Sequence, residues 1–197
     1  MTFYHELIFD PLRPPYYGSG TSVPWNNITT TNANPYKSCP NTGSVRYYDF
    51  TVAECNIRPD GVETKRAVCV NGQYPGPLLE ANYGDTIQVK VTNNLKDEGT
   101  SMQWHGFLQT GTNHMDGVPG VTQCAIAPGA SMTYTFRAEL YGTAWYHTHY
   151  SGQYSGGAVG PIVIYGPTNK NADIDIGMHT SHSTPTLDHT NLFAQVL

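Results

Sequence analysis

Apolar and polar positions alternate most cleanly along Thr86-Ile87-Gln88-Val89-Lys90-Val91-Thr92, with Ile87, Val89 and Val91 on one side of a pleated chain. A period of two belongs to a half-buried strand, since successive side chains of a strand point to opposite faces. The same β-branched and aromatic texture predicts further strands over 45–52, 66–70, 101–107, 131–138, 143–149 and 160–165. Turn dipeptides separate them: Asn71-Gly72, Gly84-Asp85, Asn93-Asn94, Asp116-Gly117, Pro128-Gly129 and Tyr141-Gly142. About seven short strands in some 120 residues, with no internal repeat, predict an all-β fold, a Greek-key β-sandwich.

The flanks lack this pattern. Residues 1–41 are rich in Pro, Asn, Thr and Tyr without a sustained period and read as an irregular, extended lead-in. The sandwich is expected over 42–167. Residues 168–197 form a polar tail rich in His and Thr.

Composition agrees with many loops and few helices. Of 197 residues, 20 are Gly, 14 Pro and 14 Tyr, and only 13% are charged. Lys and Arg total 10 against 15 Asp and Glu, a net charge of −5, which excludes a nucleic acid partner tracked by a basic surface. No apolar run approaches the roughly 18 residues that a membrane-spanning helix needs, so no membrane partner is expected. The segment Met1-Thr2-Phe3-Tyr4-His5-Glu6 shows no basic stretch followed by an apolar one, so no secretory signal is visible.

Cys39, Cys55, Cys69 and Cys124 form no C-x-x-C pair, which argues against a zinc ribbon or a thioredoxin-like motif. Four cysteines allow two disulfides in three connectivities. Cys69, within the apolar run Ala67-Val68-Cys69-Val70, reads as a buried free thiol. Asn27-Ile28-Thr29 is the one glycosylation sequon, relevant if the chain is secreted.

Two segments carry chemistry: Met102-Gln103-Trp104-His105-Gly106 and Ala144-Trp145-Tyr146-His147-Thr148-His149. Residues i and i+2 of a strand share a face, so His147 points with His149 and Gln103 with His105. One H-x-H on a strand is ordinarily a surface or hydrogen-bonded pair. Two tryptophan-anchored histidine strands in one sandwich instead suggest three imidazoles converging on one small volume, suited to copper, zinc, iron or nickel.

The ordered motifs then fit a known pattern. They are Val70-Asn71-Gly72-Gln73-Tyr74-Pro75-Gly76-Pro77, Gly84-Asp85-Thr86, Trp104-His105-Gly106, Asp116-Gly117-Val118-Pro119-Gly120-Val121-Thr122-Gln123-Cys124 and Trp145-Tyr146-His147-Thr148-His149. Over 42–175 the chain resembles the N-terminal cupredoxin (plastocyanin-like) domain of multicopper oxidases, most closely ascomycete laccases. The resemblance implies copper as cofactor, in a trinuclear cluster of one type 2 and two type 3 ions to which this domain gives half of the ligands. His105 and His147 would bind one type 3 copper and His149 the other. Asp116 matches an acid that supports proton delivery during dioxygen reduction, and it equally fits a plain Asp-Gly turn. Cys124 matches a cysteine that bonds to a later domain. The family is mostly secreted, which implies an extracellular location.

Two departures stand out. The family motif begins H-x-H-G, its first His holding the type 2 copper, whereas Gln103 stands there in this chain. An amide oxygen is a weaker donor to Cu(II) than imidazole nitrogen, so a weakened or absent type 2 site is expected. No cysteine here has a flanking histidine, so the substrate-oxidising type 1 copper is missing, together with half of the cluster ligands and cupredoxin domains 2 and 3. The polar run holding His179, His182 and His189 replaces an apolar strand and reads as the abnormal end of a truncated chain. Three functions remain open. The chain is part of an oxidase that couples phenol oxidation to reduction of dioxygen to water, with those partners engaged only in a complete enzyme. Alternatively it is a stand-alone copper-binding module, or a metal-free sandwich whose histidines are relics.

Overall fold

The computed structural model describes residues 25, 28–29, 31–34, 36–59 and 61–167. Eight strands carry the fold: β1 (Val45–Ile57), β2 (Thr64–Val70), β3 (Leu79–Asn82), β4 (Thr86–Asn93), β5 (Met102–His105), β6 (Ser131–Arg137), β7 (Gly142–Thr148) and β8 (Val159–Tyr165). Two 3₁₀ turns, Asn113–Met115 and Gln153–Gly156, are the helical elements among the described residues. One sheet runs β2-β1-β4-β6 and the other β3-β8-β7-β5. β1 lies parallel to β4 and β3 parallel to β8, while the remaining pairs are antiparallel.

The alternation in β4 does what its period requires. Ile87, Val89 and Val91 are buried, and the intervening positions face outward. Aromatic side chains bridge the two layers. Phe50 of β1 meets Tyr146 of β7 at 4.8 Å between ring centres, and Trp104 of β5 meets Phe136 of β6 at 5.0 Å. These pairs hold the inner faces of β5 and β7 against the opposite sheet, so their other faces carry Gln103, His105, His147 and His149 outward. Within the segment expected to be an irregular lead-in, Trp25 is 1% exposed and joins this core.

Asp85, fully buried in the Gly84-Asp85 turn, ties three segments together. It accepts hydrogen bonds from Arg46 Nε (2.6 Å), Thr42 Oγ1 (2.6 Å) and the Asn82 backbone N–H (2.9 Å). The buried charge is thus paired and bonded, the condition under which burial is tolerated.

Three details differ from the sequence-based expectations. β3 was not predicted, because all four of its residues are buried and leave no alternation to read. β5 is shorter than 101–107: Gly106, at φ +86°, turns the chain away after His105. Cys69 is not a free thiol. It is disulfide-bonded to Cys55, with Cα atoms 6.0 Å apart. The β1–β2 register places Ala53 opposite Cys69 and Cys55 opposite Ala67, so the two cysteines are diagonal neighbours beside a bulge. Cys39 and Cys124 are free, and burial raises the Cys39 pKa. The sequon residue Asn27 and the tail histidines His179, His182 and His189 lie outside the described residues.

Candidate metal centre

β5 and β7 pair in a register that sets Gln103 opposite His147 and His105 opposite Trp145. Directly opposed residues share a face, and His149 follows His147 by two, so all five side chains lie on one side of the sheet. With Ser151 and Tyr154 they line a cleft of about 400 Å³. Their contacts are graded. The His147 ring stacks on Trp145 at 4.1 Å and 27°, and His105 lies 4.8 Å from the same indole. His147 is 5.6 Å from His105 and 5.7 Å from His149, ring centre to ring centre. Tyr154 meets His147 edge-on at 5.7 Å.

His147 is the central ring and only 6% exposed. Its Nδ1 lies 3.0 Å from the Thr148 carbonyl oxygen. A carbonyl can only accept, so Nδ1 carries the proton and the Nε2 lone pair is free. That buried Nε2 has no hydrogen-bond partner. Burial lowers the His147 pKa to about 4; the Thr148 carbonyl opposes this in part, and the nearby His105 and His149 add smaller lowering effects. The ring is therefore neutral at pH 7, the form that ligates a metal.

The three imidazoles share one cleft, and among the described residues no three His, Cys, Asp or Glu side chains gather closely enough to hold a single ion. With imidazole nitrogen about 2 Å from a bound metal, two rings flanking one ion stand on the order of 5–6 Å apart. The His105–His147 and His147–His149 spacings both match that separation, and the one free nitrogen of His147 can hold only one ion, which leaves the other neighbour for a second. The neutral His147 ring, its unpartnered buried Nε2 and this spacing fit copper-type chemistry.

Asp116 is half-buried at the end of the 3₁₀ turn Asn113–Met115, where its backbone N–H donates to Asn113 O, and it does not line the cleft. Its neighbour Gly117, at φ +90°, lies so close to β5 that a Cβ there would overlap the Met102 carbonyl. The Asp116 turn thus presses on β5 just ahead of Gln103. Tyr154 was missed at the sequence level. It arrives on a 3₁₀ turn after β7, and no hydrophobic period announces it.

A family model described as multicopper oxidase matches residues 51–169. Dihydrogeodin oxidase of Aspergillus terreus is 49% identical over 157 residues, which cover 79% of this chain and 25% of that protein. Laccase-2 of Botryotinia fuckeliana is 49% identical over 146 residues, covering 74% of this chain and 25% of the relative. The crystal structure of Botrytis aclada laccase superimposes with a TM-score of 0.66 at 48% identity, covering 68% of this chain and 25% of that one. The chain spans about a quarter of the length of the curated relatives it matches.

Proposed function

The chain belongs to the multicopper oxidase family, and from that premise we propose that residues 42–167 are the first cupredoxin domain of a laccase-type oxidase. The fold and the relatives make it a copper-oxidase domain with a cupredoxin-like sandwich. The finer reading assigns His105 and His147 to one copper and His149 to a second. The observation that carries it is the buried, unpartnered Nε2 of His147, on a ring whose centre lies 5.6 Å from that of His105 and 5.7 Å from that of His149.

Bound copper would supply the redox couple that links oxidation of a phenolic substrate to reduction of dioxygen to water. The chain's own residues prepare the site. The Thr148 carbonyl fixes the His147 tautomer, and Trp145 holds the ring plane by stacking. Tyr154 covers one edge of the ring and limits water there. Gln103 faces His147 with an amide in place of an imidazole, so the third, type 2 copper is held weakly or not at all. Asp116, on the turn whose Gly117 packs closely on β5, is the acid proposed to supply protons.

Two further proposals rest on cysteines. The Cys55–Cys69 disulfide supports secretion, since such bonds persist in oxidising compartments. Cys124, exposed and free, suits a bond to a further domain of the whole enzyme. No helix among the described residues is long and apolar enough to cross a membrane.

The test is to add copper, a phenolic dye and dioxygen to the 197-residue chain. Copper should bind without catalytic oxidation of the dye. Copper-dependent turnover by this chain would contradict the reading as one domain of a larger oxidase, and absence of bound copper would contradict the metal assignment.

A further inference from the structure

A buried amide joins the two strands that carry the cleft's donors. β5 is an edge strand with β7 as its one partner in the sheet, and their ladder has four residue pairs. Past the last pair, Met102 with Thr148, the His149 backbone N–H donates to Ser101 O at 3.3 Å, longer than a typical bond. Beyond this end, beside His149, Gln153 adds further bonds between the two segments.

Gln153 follows His149 by four residues and is 5% exposed. Its Oε1 accepts from Thr100 Oγ1 at 2.8 Å, and its Nε2 donates to Gly99 O at 2.8 Å and to Glu98 Oε2 at 3.1 Å. Thr100 is itself buried and exchanges two backbone bonds with Ile126, at 3.0 and 2.7 Å. The amide thus anchors the chain after β7 to a braced segment just before β5. The next residue is Tyr154, whose ring stands edge-on to His147. A buried amide with both ends bonded has a geometric consequence that an apolar filler lacks: it fixes direction and distance.

We propose that Gln153 is a positioning residue for the copper site, setting the separation of β5 from β7 at the His149 end and seating Tyr154 on His147. This rests on the reading of the cleft as a copper site. Gln153 touches neither metal nor substrate. It acts through the Gly99 carbonyl, the Thr100 hydroxyl and the Glu98 carboxylate, and through Tyr154.

The test uses the 197-residue chain with Gln153→Leu, Thr100→Val and both together. Two readouts are taken: Cu(II) affinity by titration, and the NMR signals of the His147 and His149 rings in the metal-free protein, with the Val89 methyls as a core reference. Gln153→Leu should weaken Cu(II) binding about 10- to 100-fold, the usual effect of losing a group that orients a metal ligand. It should also shift both histidine ring signals while those of Val89 stay. Thr100→Val, which deletes one hydroxyl, should move the same signals in the same direction by less. The double variant should be no worse than Gln153→Leu, because the one bond that Thr100→Val removes is already lost in Gln153→Leu. Unchanged affinity and ring signals in Gln153→Leu would overturn the proposal, as would His147, His149 and Val89 signals all moving alike. If the wild-type chain binds no copper, the copper reading falls by that result, and the metal-free ring signals still decide whether Gln153 positions the histidines.

Discussion

Trp145 and His147, two apart on β7, stack with ring centres 4.1 Å apart and planes 27° from parallel. The indole is partly buried and the imidazole almost wholly so, and together they set the floor of the cleft. An aromatic plane under a ligand's ring restricts its rotation and so lowers the entropy lost on binding a metal. Trp145→Ala should therefore weaken Cu(II) binding about tenfold, in the range for removing a ligand's support. Trp145→Phe should recover most of that loss. Isothermal titration of the three proteins measures it, and equal affinities would remove the indole from the account.

Gly117 should tolerate no side chain. Its φ of +90° strains any other residue, and a Cβ would overlap the Met102 carbonyl. Gly117→Ala is expected to cost about 2–4 kcal/mol from backbone strain plus displacement of β5. Urea unfolding of the metal-free chain checks this. A change below about 0.5 kcal/mol, the scale of a neutral surface substitution, would show that the turn shifts freely.

Asp85→Ala should destabilise the fold by about 3–5 kcal/mol, because it leaves the buried Arg46 guanidinium without its carboxylate. The Arg58–Glu63 pair gives the contrast. It is solvent-exposed at 3.3 Å, and Glu63→Ala should change stability by less than about 1 kcal/mol. Comparable losses in the two variants would mean that burial of the Asp85 pair is not what sets its importance.

The Cys55–Cys69 bond closes a loop of sequence separation 14. Restricting the unfolded chain over such a loop is worth about 3 kcal/mol, so the Cys55→Ala/Cys69→Ala variant should unfold more readily by that amount. Mass measurement before and after thiol alkylation gives an independent check: two free thiols, Cys39 and Cys124, are expected among the four cysteines. Four alkylated cysteines without reduction would contradict the disulfide.

The sequence was legible where burial is one-sided. β4 shows its period of two because one of its faces meets the core and the other meets solvent. His147, in β7, and His149, just past its end, could be assigned to one face from the same rule, and both line the cleft. β3 was hidden because both its faces are buried. Cys69 was misread because an apolar neighbourhood suits a thiol as well as a half-cystine, and only the strand register brings Cys55 diagonally across from it. Tyr154 and Gln153 were invisible for a further reason. Their roles come from a short 3₁₀ turn folding back on residues 98–100, and such long-range contacts leave no local period.

His105, His147 and His149, which line one cleft, are proposed as a copper-binding set in which the buried, unpartnered Nε2 of His147 is a donor. The most direct measurement of this is copper content after gel filtration of the copper-loaded 197-residue chain, wild type beside His147→Ala. The account predicts copper retained by the wild type and lost by the variant, with both proteins folded by circular dichroism. Equal copper content in the two proteins, or none in the wild type, would contradict it.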